Sequence, residues 1–376
     1  MKKFCRVCGN KLFEEPLITL KKMPSRVQNF PDKKGIKRHR GIDLKIFQCS
    51  GCGLVQLNCK PVSYYKEVIR AVGVSEEMKI FRREYFKDFI DRYALKNKKI
   101  LEVGCGKGDY LSILNQLSAQ AFGLEYSENS VKECKKAGLQ VVKGFIENKN
   151  YKIVHSPFDA FLCLNFLEHI PFPNEFLRGI WNNLTEDAVG IIEVPSFDIL
   201  IQKKLLGDFL IDHLLYFSES TLKNTLEFNG FEILEIKKIW YEYLYSVEVR
   251  KRRNLDLSFL YHYLTLLKNK IHSFIASFQK VALWGAGHQA LSYISLLELQ
   301  NKVRYIVDSA SFKQNKYTPV THIPIVSPEK LLEDPVDAVI VIVGGYSDEV
   351  VNTIKDFGIN ITVGVLKDYS FEILTM

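Results

Sequence analysis

The chain has no apolar stretch long enough to cross a membrane, since no run of about 18 uncharged apolar residues occurs among its 376 residues. Its first ten residues, MKKFCRVCGN, are basic but contain no apolar core of the kind that secretory signals carry. We therefore expect a cytoplasmic protein with no membrane partner. Disulfide bonds are not expected in that compartment, so the eight cysteines need another explanation.

The composition excludes a disordered chain, because 47% of the residues are hydrophobic and 12% are aromatic. The net charge is +8, and basic residues cluster at 33–40 and 250–253. These runs are either solvated loops or a means of attracting an anionic ligand such as a nucleotide diphosphate. No nucleic-acid recognition motif accompanies the charge, so nucleic acid is not an expected partner.

Four cysteines form two C-x-x-C-G motifs about forty residues apart, namely Cys5, Cys8, Cys49 and Cys52. A glycine after the second cysteine permits the tight turn that aims both thiolates at one ion. Two such turns give a closed tetrahedral site with no open position for water. The sequence therefore predicts a structural zinc ion, because a redox role would need a single pair in a thioredoxin-like context.

Strands and helices alternate from residue 76 onward, a pattern typical of a parallel α/β sheet. The pattern is interrupted by a mostly helical stretch near 246–280, after which a second α/β run begins. We predict three domains: a small zinc-binding domain at 1–75, a Rossmann-like α/β core at 76–245, and a second Rossmann-like α/β domain at 246–376.

A glycine-rich turn follows the first strand of the core, in the segment ILEVGCGKGDYLSIL. Its spacing, Gly104-x-Gly106-x-Gly108, differs from the dinucleotide fingerprint but still brings a nucleotide-like ligand to a helix N-terminus. Glu125 ends the next strand, where a carboxylate accepts hydrogen bonds from two ribose hydroxyls. A third segment, LCLNFLEHIPFP, adds an asparagine and an acid–histidine pair. These residues alone leave NAD(P), a phosphate group and S-adenosylmethionine open as ligands.

The segments LEVGCGKG and LNFLEHIP, together with Glu125, resemble the motifs of class I S-adenosylmethionine-dependent methyltransferases. The resemblance covers residues 98 to 237 and implies S-adenosylmethionine as the cofactor. It also implies the cofactor-binding residues, which are Glu102, Gly104, Gly106, Gly108, Glu125, Tyr126, Asn165 and Glu168.

The order of motifs along almost the whole chain resembles a narrower group, the sugar C-methyltransferase family. The cysteine domain contains MPSRVQNF, the core contains EVPS and HLLYFS, and the last part contains KVALWGAG and KQNKYTPVTHIPI. This resemblance implies that the enzyme methylates a nucleotide-linked deoxysugar at a carbon beside a ketone. The nucleotide sugar would then be its partner, with the protein acting as a monomer or a dimer.

C-methylation needs a base that removes the proton beside the ketone and a group that stabilises the enolate. Asp212 and His213 match the family's acid–histidine pair, in which the carboxylate orients the imidazole, and His169 is a third catalytic candidate. Leu210 and Ile211 stand where the family has a tyrosine and a histidine. O-methylation of a sugar hydroxyl, or methylation of another small molecule, therefore remains an alternative.

A second family tyrosine is expected shortly before the core, in a Y-x-Y-x-S pattern. This chain reads EVIRAVGVS there, so that tyrosine has no match, although Tyr64 and Tyr65 lie nearby.

The sequence gives less support to two other functions. A binding module would need a broken cofactor site, whereas the glycines and Glu125 are intact, and a nucleic-acid methyltransferase would need an acceptor-base motif that NFLEHIP replaces.

The last domain carries a second glycine turn at 285–287, followed by Asp308 at the end of the next strand. The resemblance implies that this domain holds the nucleotide part of the substrate. The alternative is a structural domain with a vestigial glycine turn. Asn315 and Val320 stand where the family has glycine, which leaves the ligand of this domain open.

Overall fold

A computed structural model describes residues 4–28, 30–34, 36, 40–67, 75–367 and 370–375 of the chain. Its contacts divide the chain into two units, Met1–Arg253 and Asn254–Met376. The domain boundaries predicted after residues 75 and 245 remain predictions. Within the described residues, no helix combines the length and the apolar character that crossing a bilayer requires.

The first unit, in its described part, contains eleven strands and six helices. The strands are β1 (Ile18–Met23), β2 (Ile42–Gln48), β3 (Val55–Leu57), β4 (Lys99–Val103), β5 (Gln120–Glu125), β6 (Gln140–Lys143), β7 (Phe158–Leu164), β8 (Leu184–Pro195), β9 (Leu215–Tyr216), β10 (Phe231–Ile239) and β11 (Leu244–Lys251). The helices are α1 (Glu76–Arg92), α2 (Asp109–Gln116), α3 (Glu128–Lys136), α4 (Pro173–Trp181), α5 (Phe197–Gln202) and α6 (Glu219–Phe228). Short 3-10 turns cover Tyr65–Glu67, Leu167–His169 and Leu206–Asp208.

Seven strands form the main sheet in the order β10-β11-β8-β7-β4-β5-β6. β4 pairs in parallel with β5 and β7, and β11 pairs antiparallel with β8 and β10. The central strands are nearly continuous apolar runs such as FDAFLCL in β7, as expected for strands covered on both faces. The carboxyl ends of β4, β5 and β7 therefore meet at one edge, where a ligand binds in folds of this class. The predicted Rossmann-like core is confirmed.

Helix α1 packs against this sheet through an apolar stripe that includes Phe86, Phe89 and Ile90, and through one charged residue, Arg82. The Arg82 side chain is fully buried, and its two terminal nitrogens donate to the two carboxylate oxygens of Glu193 at 2.5 and 2.6 Å. Glu193 lies on β8 and is also fully buried. The helix is thus fixed to the sheet by an ion pair that water does not reach.

A second, smaller sheet in the first unit has the strand order β1-β2-β3-β9. All its pairings are antiparallel, and Val55 and Gln56 of β3 lie opposite Tyr216 and Leu215 of β9. β9 comes from the last part of the methyltransferase-like segment and begins two residues after His213. The sheet whose strands β2 and β3 flank the second cysteine motif therefore also holds one end of the predicted catalytic segment.

The second unit is another α/β layer structure. In its described part, the elements are α7 (Ser258–Ala276), β12 (Val281–Trp284), α8 (His288–Leu296), β13 (Ile306–Val307), β14 (Lys316–Tyr317), β15 (Pro324–Val326), α9 (Lys330–Glu333), β16 (Ala338–Val341), α10 (Ser347–Asp356), β17 (Thr362–Lys367) and β18 (Ser370–Thr375). The sheet order is β14-β15-β13-β12-β16-β17-β18, with parallel pairing inside and antiparallel strands at both edges. This matches the predicted second α/β domain.

Asp308, at the end of β13, accepts hydrogen bonds from the main-chain N–H groups of Ala286 and Ala310 at 2.8 and 2.9 Å. Ala286 belongs to the predicted glycine turn. The Lys313 ammonium group also donates to Asp308, at 2.9 Å, and this pairing holds the pKa of the carboxyl below its ordinary value against the opposing effect of burial. The acid predicted to follow the second glycine turn is therefore an anchor of that turn.

Two residues that replace family glycines, Asn315 and Val320, adopt left-handed backbone conformations with φ of 60° and 66°. For a β-branched residue this conformation costs roughly 1–2 kcal/mol. We expect Val320→Gly to raise the free energy of unfolding by about 1 kcal/mol. Relief of the backbone strain exceeds the conformational entropy that glycine loses on folding. Urea unfolding of the full chain measures this. Val326→Gly in β15 is the control and is expected to destabilise, whereas a loss of stability in Val320→Gly would contradict the prediction.

Candidate active site

The turn after β4 has the backbone conformation that its glycines permit. Gly104, Gly106 and Gly108 have φ values of 74°, 55° and 82°, which residues with a side chain rarely adopt. A Cβ atom on Gly108 would lie 2.4 Å from a methyl carbon of Leu139, whereas one on Gly106 would meet no atom within 4 Å. Gly108 therefore allows tight packing of the turn, and Gly106 leaves space for a ligand to approach the main chain.

Glu125 anchors this turn from the end of β5. Its two carboxylate oxygens accept hydrogen bonds from the main-chain N–H groups of Gly106 at 2.9 Å and Ser127 at 2.7 Å. The residue is 8% exposed, and burial raises the pKa of its carboxyl. Each oxygen keeps a second lone pair. Glu125 therefore lies where the sequence predicted it, and it retains the capacity to bind ribose hydroxyls.

A small cavity of about 10 Å³ opens beside Glu125 at the carboxyl edge of the sheet, and its side chains must move apart before a nucleoside can enter. Its lining residues are Lys66, Val103, Gly104, Leu124, Glu125, Tyr126, Gly144, Phe145, Ile146, Phe166 and Phe176. Apolar and aromatic walls with a carboxylate at one end suit a nucleoside, whose base needs flat apolar contacts and whose ribose needs acceptors.

The sequence predicted only three of the residues that line this cavity, namely Gly104, Glu125 and Tyr126. Phe145 follows β6 in a segment without a glycine or an acid–histidine signal. Lys66 comes from the 3-10 turn before α1, and its ammonium nitrogen lies 5.2 Å from the ring centroids of both Tyr126 and Phe145. No local pattern connects residues so far apart in the chain.

Three further predicted residues lie at the same sheet edge. Glu102, near the end of β4, is 3% exposed. Asn165 directly follows β7 with φ of 52°, and its side-chain oxygen is buried without a hydrogen-bond partner in the described part of the chain. Glu168 lies in the 3-10 turn that follows, beside His169.

Glu168, His169 and His213 form a cluster whose ligand-type atoms all lie within 4.8 Å of one another, with Glu168 and His169 buried and His213 half-buried. The ring centroids of the two histidines are 4.9 Å apart. The Nδ1 atom of His169 lies 2.9 Å from the main-chain oxygen of Asp212. Because a carbonyl only accepts, Nδ1 must carry the proton, and Nε2 presents a lone pair 3.7 Å from Glu168 Oε1.

Burial sets the charge of this cluster. It raises the pKa of Glu168 to about 8 and lowers the pKa of His169 to about 4. Burial, and then repulsion from His169, lowers the pKa of His213 to about 3. At neutral pH the carboxyl group therefore holds a proton, while both imidazoles are neutral and able to accept one.

The predicted contact between the Asp212 carboxylate and the His213 imidazole is not formed among the described residues. Asp212 Oδ1 instead accepts a hydrogen bond from the hydroxyl group of Tyr64 at 2.9 Å, and its main-chain oxygen holds His169. Asp212 therefore orients a tyrosine and a different histidine. Adjacent side chains in an irregular segment point in different directions, which is why proximity in sequence was a poor guide.

Tyr64 is the functional candidate that sequence reasoning left unassigned. Its hydroxyl oxygen also accepts a hydrogen bond from the main-chain N–H of Val27 at 3.0 Å. Val27 belongs to the MPSRVQNF segment, so that segment helps to hold the tyrosine against Asp212. The family's Y-x-Y-x-S pattern would fall at residues that include 68–74, which lie outside the described residues.

The four cysteine sulfur atoms lie within 4.8 Å of one another. Cys5 and Cys52 are 3.6 Å apart, and Cys8 and Cys49 are 3.3 Å apart, measured between sulfur atoms. Four thiolates bound to one zinc ion at 2.3 Å would be about 3.8 Å apart, so small side-chain movements suffice to accommodate it. The donor set is the one that zinc takes in closed structural sites, and it fits the ion.

The two cysteine turns have matching backbone geometry. Gly9 and Gly53 have φ values of 75° and 78°. Main-chain N–H groups point at the first sulfur of each pair, from Val7 to Cys5 at 3.4 Å and from Gly51 to Cys49 at 3.3 Å. Such N–H donors stabilise thiolates, which is the form that binds a metal.

Arg6, inside the first cysteine turn, connects the metal cluster to the acid–histidine segment. Its guanidinium group donates to the main-chain oxygen of Pro171 at 3.1 Å and to that of Cys59 at 2.6 Å. The Asn174 side chain returns a hydrogen bond to the main-chain oxygen of Val7 at 2.7 Å. The cysteine cluster thus fixes the segment that begins two residues after His169.

Two family models match this chain. Residues 78–236 match the methyltransferase domain, and residues 263–361 match the C-methyltransferase C-terminal domain. The chain is a methyltransferase that depends on S-adenosylmethionine. The matched methyltransferase domain contains the glycine turn and Glu125.

Named relatives extend the comparison. The methyltransferase is 20% identical to the C-methyltransferase NovU of Streptomyces niveus over 392 aligned residues, which cover 94% of this chain and 92% of NovU. It is 31% identical over 98 residues to the ubiquinone biosynthesis O-methyltransferase of Chromobacterium violaceum, a match that covers 24% of this chain and 42% of that enzyme.

Solved structures give weaker likenesses. An S-adenosylmethionine-dependent methyltransferase from Clostridium acetobutylicum has a TM-score of 0.40 and 16% identity, covering 50% of this chain and 96% of that one. The magnesium protoporphyrin IX methyltransferase of Synechocystis, solved with bound S-adenosylhomocysteine, has a TM-score of 0.39 and 16% identity, covering 49% and 90% of the two chains.

Replacing Glu125 by alanine is expected to weaken S-adenosylmethionine binding about 10- to 100-fold. The change removes a charged acceptor for ribose and the anchor of the glycine turn, and hydrogen bonds to charged groups contribute about 1.5–3 kcal/mol each. Isothermal titration calorimetry of cofactor binding measures the change. Glu128→Ala, an exposed acid at the start of α3, is the matched control. Equal affinity in the two variants would contradict the prediction.

Proposed function

We propose that the methyltransferase transfers a methyl group to a carbon beside the ketone of a nucleotide-linked deoxysugar. The observation that carries the proposal is the buried cluster of uncharged acid and imidazole groups at the carboxyl edge of the cofactor-binding sheet. C-methylation beside a ketone needs a neutral base and hydrogen-bond donors for the enolate oxygen, and this cluster contains both. The likeness to NovU over almost the whole chain supports the same chemistry.

The residues of the cluster, and Tyr64 and Asp212 beside it, each have a proposed role in the reaction. S-adenosylmethionine supplies an electrophilic methyl group when bound. His213 accepts the proton beside the ketone, because its imidazole is neutral. Glu168, whose carboxyl burial keeps protonated, is the donor for the developing enolate oxygen, while the hydroxyl proton of Tyr64 is donated to Asp212 at 2.9 Å and fixes that carboxylate. His169 is kept in one tautomer by the Asp212 main chain and lines the acceptor space.

The protonated carboxyl of Glu168 takes the part of the enolate stabiliser that Leu210 and Ile211 cannot supply. O-methylation of a sugar hydroxyl, which needs only one base, is the second candidate because those two positions carry no polar side chain. The nearby Tyr216 does not replace the missing tyrosine, since its hydroxyl bonds to the main chain of Leu210 at 3.1 and 3.2 Å.

We propose further that the four cysteines bind a structural zinc ion and that the cofactor is held by the residues named from the resemblance, Glu102, Gly104, Gly106, Gly108, Glu125, Tyr126, Asn165 and Glu168. In the second unit, the turn anchored by Asp308 is the proposed site for the nucleotide part of the acceptor.

The test uses S-adenosylmethionine with a carbon-13 methyl group and a panel of nucleotide-linked 4-keto and reduced sugars. Carbon NMR distinguishes a methyl on carbon, expected at high field, from a methoxy group at low field. A high-field signal that His213→Ala abolishes supports the proposal, with His262→Ala on α7 as the control. A methoxy product would show O-methylation in place of the proposed C-methylation. No transfer to any sugar would overturn the assignment of a nucleotide sugar as the acceptor.

The pH profile of this reaction follows from the depressed pKa of His213. The unperturbed imidazole pKa is about 6.5, so an ordinary histidine base would lose about tenfold in rate between pH 7 and 5.5. Because His213 stays neutral down to about pH 3, we expect the rate at pH 5.5 to remain within about twofold of that at pH 7. A decline centred near pH 6.5 would contradict this.

Folding must be monitored in the same samples. The folded-state pKa values of His169 and His213 lie below the unfolded value, so the unfolded chain binds protons first and stability declines as pH falls below about 6.5. Circular dichroism at each pH separates this loss of folded protein from a change in the base.

A further inference from the structure

We propose that Glu168, His169 and His213 form a second metal site, which binds a divalent cation of the Zn²⁺ or Co²⁺ type and blocks methyl transfer when occupied. The binding is independent of the function proposed above, whereas the blocking rests on the proposed role of His213 as the base.

The three side chains already approach the geometry of a metal site. Their ligand atoms lie within 4.8 Å of one another, and two donors at 2.1 Å and the tetrahedral angle on one zinc ion are about 3.4 Å apart. Closing the cluster onto an ion therefore needs pairs of donor atoms to approach by up to about 1.4 Å, which side-chain rotations can supply. The three residues come from two segments, the 3-10 turn Leu167–His169 and the loop before β9.

The surroundings orient the cluster as a metal site requires. Metal-binding histidines almost always donate their second ring N–H to a carbonyl or carboxylate, which fixes the ring and its tautomer. His169 does this through Nδ1, which donates to the main-chain oxygen of Asp212 at 2.9 Å and leaves the Nε2 lone pair facing Glu168.

Glu168 provides the second, independent observation. The residue is only 2% exposed, and its Oε2 atom has no hydrogen-bond partner in the described part of the chain. A buried polar atom without a partner costs free energy. Coordination of a cation would release the proton of this carboxyl to solvent, satisfy the oxygen and offset the cost of its burial.

The donor set indicates which ions bind. Two imidazole nitrogens and one carboxylate suit Zn²⁺, Co²⁺ or Fe²⁺, whereas Mg²⁺ and Ca²⁺ prefer oxygen ligands. Three ligands leave a coordination position open, unlike the closed four-cysteine centre. The ion takes the lone pair of His213, so that residue can no longer accept a proton from the acceptor. Cation binding and catalysis therefore exclude each other.

The binding test uses the full chain, loaded with zinc at the cysteine centre and freed of excess metal, with Co²⁺ as the probe. We expect one additional Co²⁺ per chain, with d–d absorption but without the charge-transfer bands that thiolate ligands give. Those bands and zinc release would identify cobalt that has entered the cysteine centre instead. An absence of additional cobalt would overturn the proposal.

Two variants locate the site. Glu168→Gln, which keeps the size of the side chain, and His213→Ala are each expected to weaken Co²⁺ binding by more than about 100-fold, because each loses a direct ligand. His262→Ala, on the exposed face of α7, is the matched control and should bind Co²⁺ as the parent does. Unchanged binding in both site variants, with the chain folded by circular dichroism, would place the cobalt elsewhere and refute the assignment.

The blocking is tested separately with an acceptor that the enzyme methylates. The rate is expected to fall in proportion to Co²⁺ occupancy and to recover when a chelator removes cobalt while the cysteine-bound zinc stays in place. Faster transfer with Co²⁺ bound would overturn the blocking. Because the binding test needs neither acceptor nor cofactor, failure of the proposed acceptor assignment leaves its result intact.

Discussion

Changing Cys49 to serine is expected to abolish binding of the zinc ion proposed for the four-cysteine cluster and to lower methyl transfer at least about a hundredfold. Structural zinc sites contribute about 10–16 kcal/mol of binding free energy, which is comparable to the whole stability of a domain. Cys49 directly follows β2, and β3 of the same sheet pairs with β9 just after His213. Loss of the metal therefore disorders the support of the catalytic segment as well as the cysteine turns.

Zinc content by mass spectrometry and methyl transfer, measured on the same samples, check this expectation. Cys59→Ser is the matched control, because Cys59 is a half-buried cysteine outside the four-sulfur cluster. It should keep its zinc and most of its activity. A zinc-free Cys49→Ser protein with parental activity would show that the metal does not support the active site.

Replacing Arg82 by methionine is expected to lower the free energy of unfolding by about 3–5 kcal/mol. The variant leaves the Glu193 carboxylate fully buried with no positive charge opposite it. Ser246 and Tyr85 lie beside the pair but are neutral, so they cannot compensate for the lost charge. Urea unfolding measures the change.

The double variant Arg82→Met/Glu193→Met separates the charge from the packing. If the loss comes from an unpaired charge, the double variant should recover most of the stability, since apolar replacements of a buried pair are often neutral. Lys87→Met, an exposed position on the same helix, is the control and should leave unfolding unchanged. A single Arg82→Met variant that loses less than about 1 kcal/mol would contradict the prediction.

The architecture was predictable wherever the signal was local. Glycine turns after apolar strands, and alternation of the two kinds of element, indicated both α/β sheets before any coordinates. The two C-x-x-C-G motifs indicated one cluster, because each turn can aim only two sulfurs at an ion. By contrast, nothing indicated that the two-residue strand β9 would pair with β3, since so short a segment has no periodicity.

The candidate site was only partly predictable, for a related reason. Sequence reasoning found Asp212, His213 and His169, yet assigned the wrong partner to the Asp212 carboxylate. Its partner is Tyr64, 148 positions away in the chain. Lys66 likewise reaches the cavity beside Glu125 from outside the recognised motifs. Contacts between distant segments depend on how the sheets are assembled, which local patterns do not encode.

The pairing of β3 with β9 also constrains how the polypeptide is made. Val55 cannot pair with Tyr216 until Tyr216 has been synthesised, about 160 residues later. At ordinary rates of translation the delay is on the order of ten seconds, during which the edge of β3 has no partner. Unpaired strand edges are sites of aggregation. The nascent chain is therefore prone to aggregation until the segment bearing His213 has been synthesised. Early binding of zinc by the four cysteines would leave β3 as the single strand with an unpaired edge.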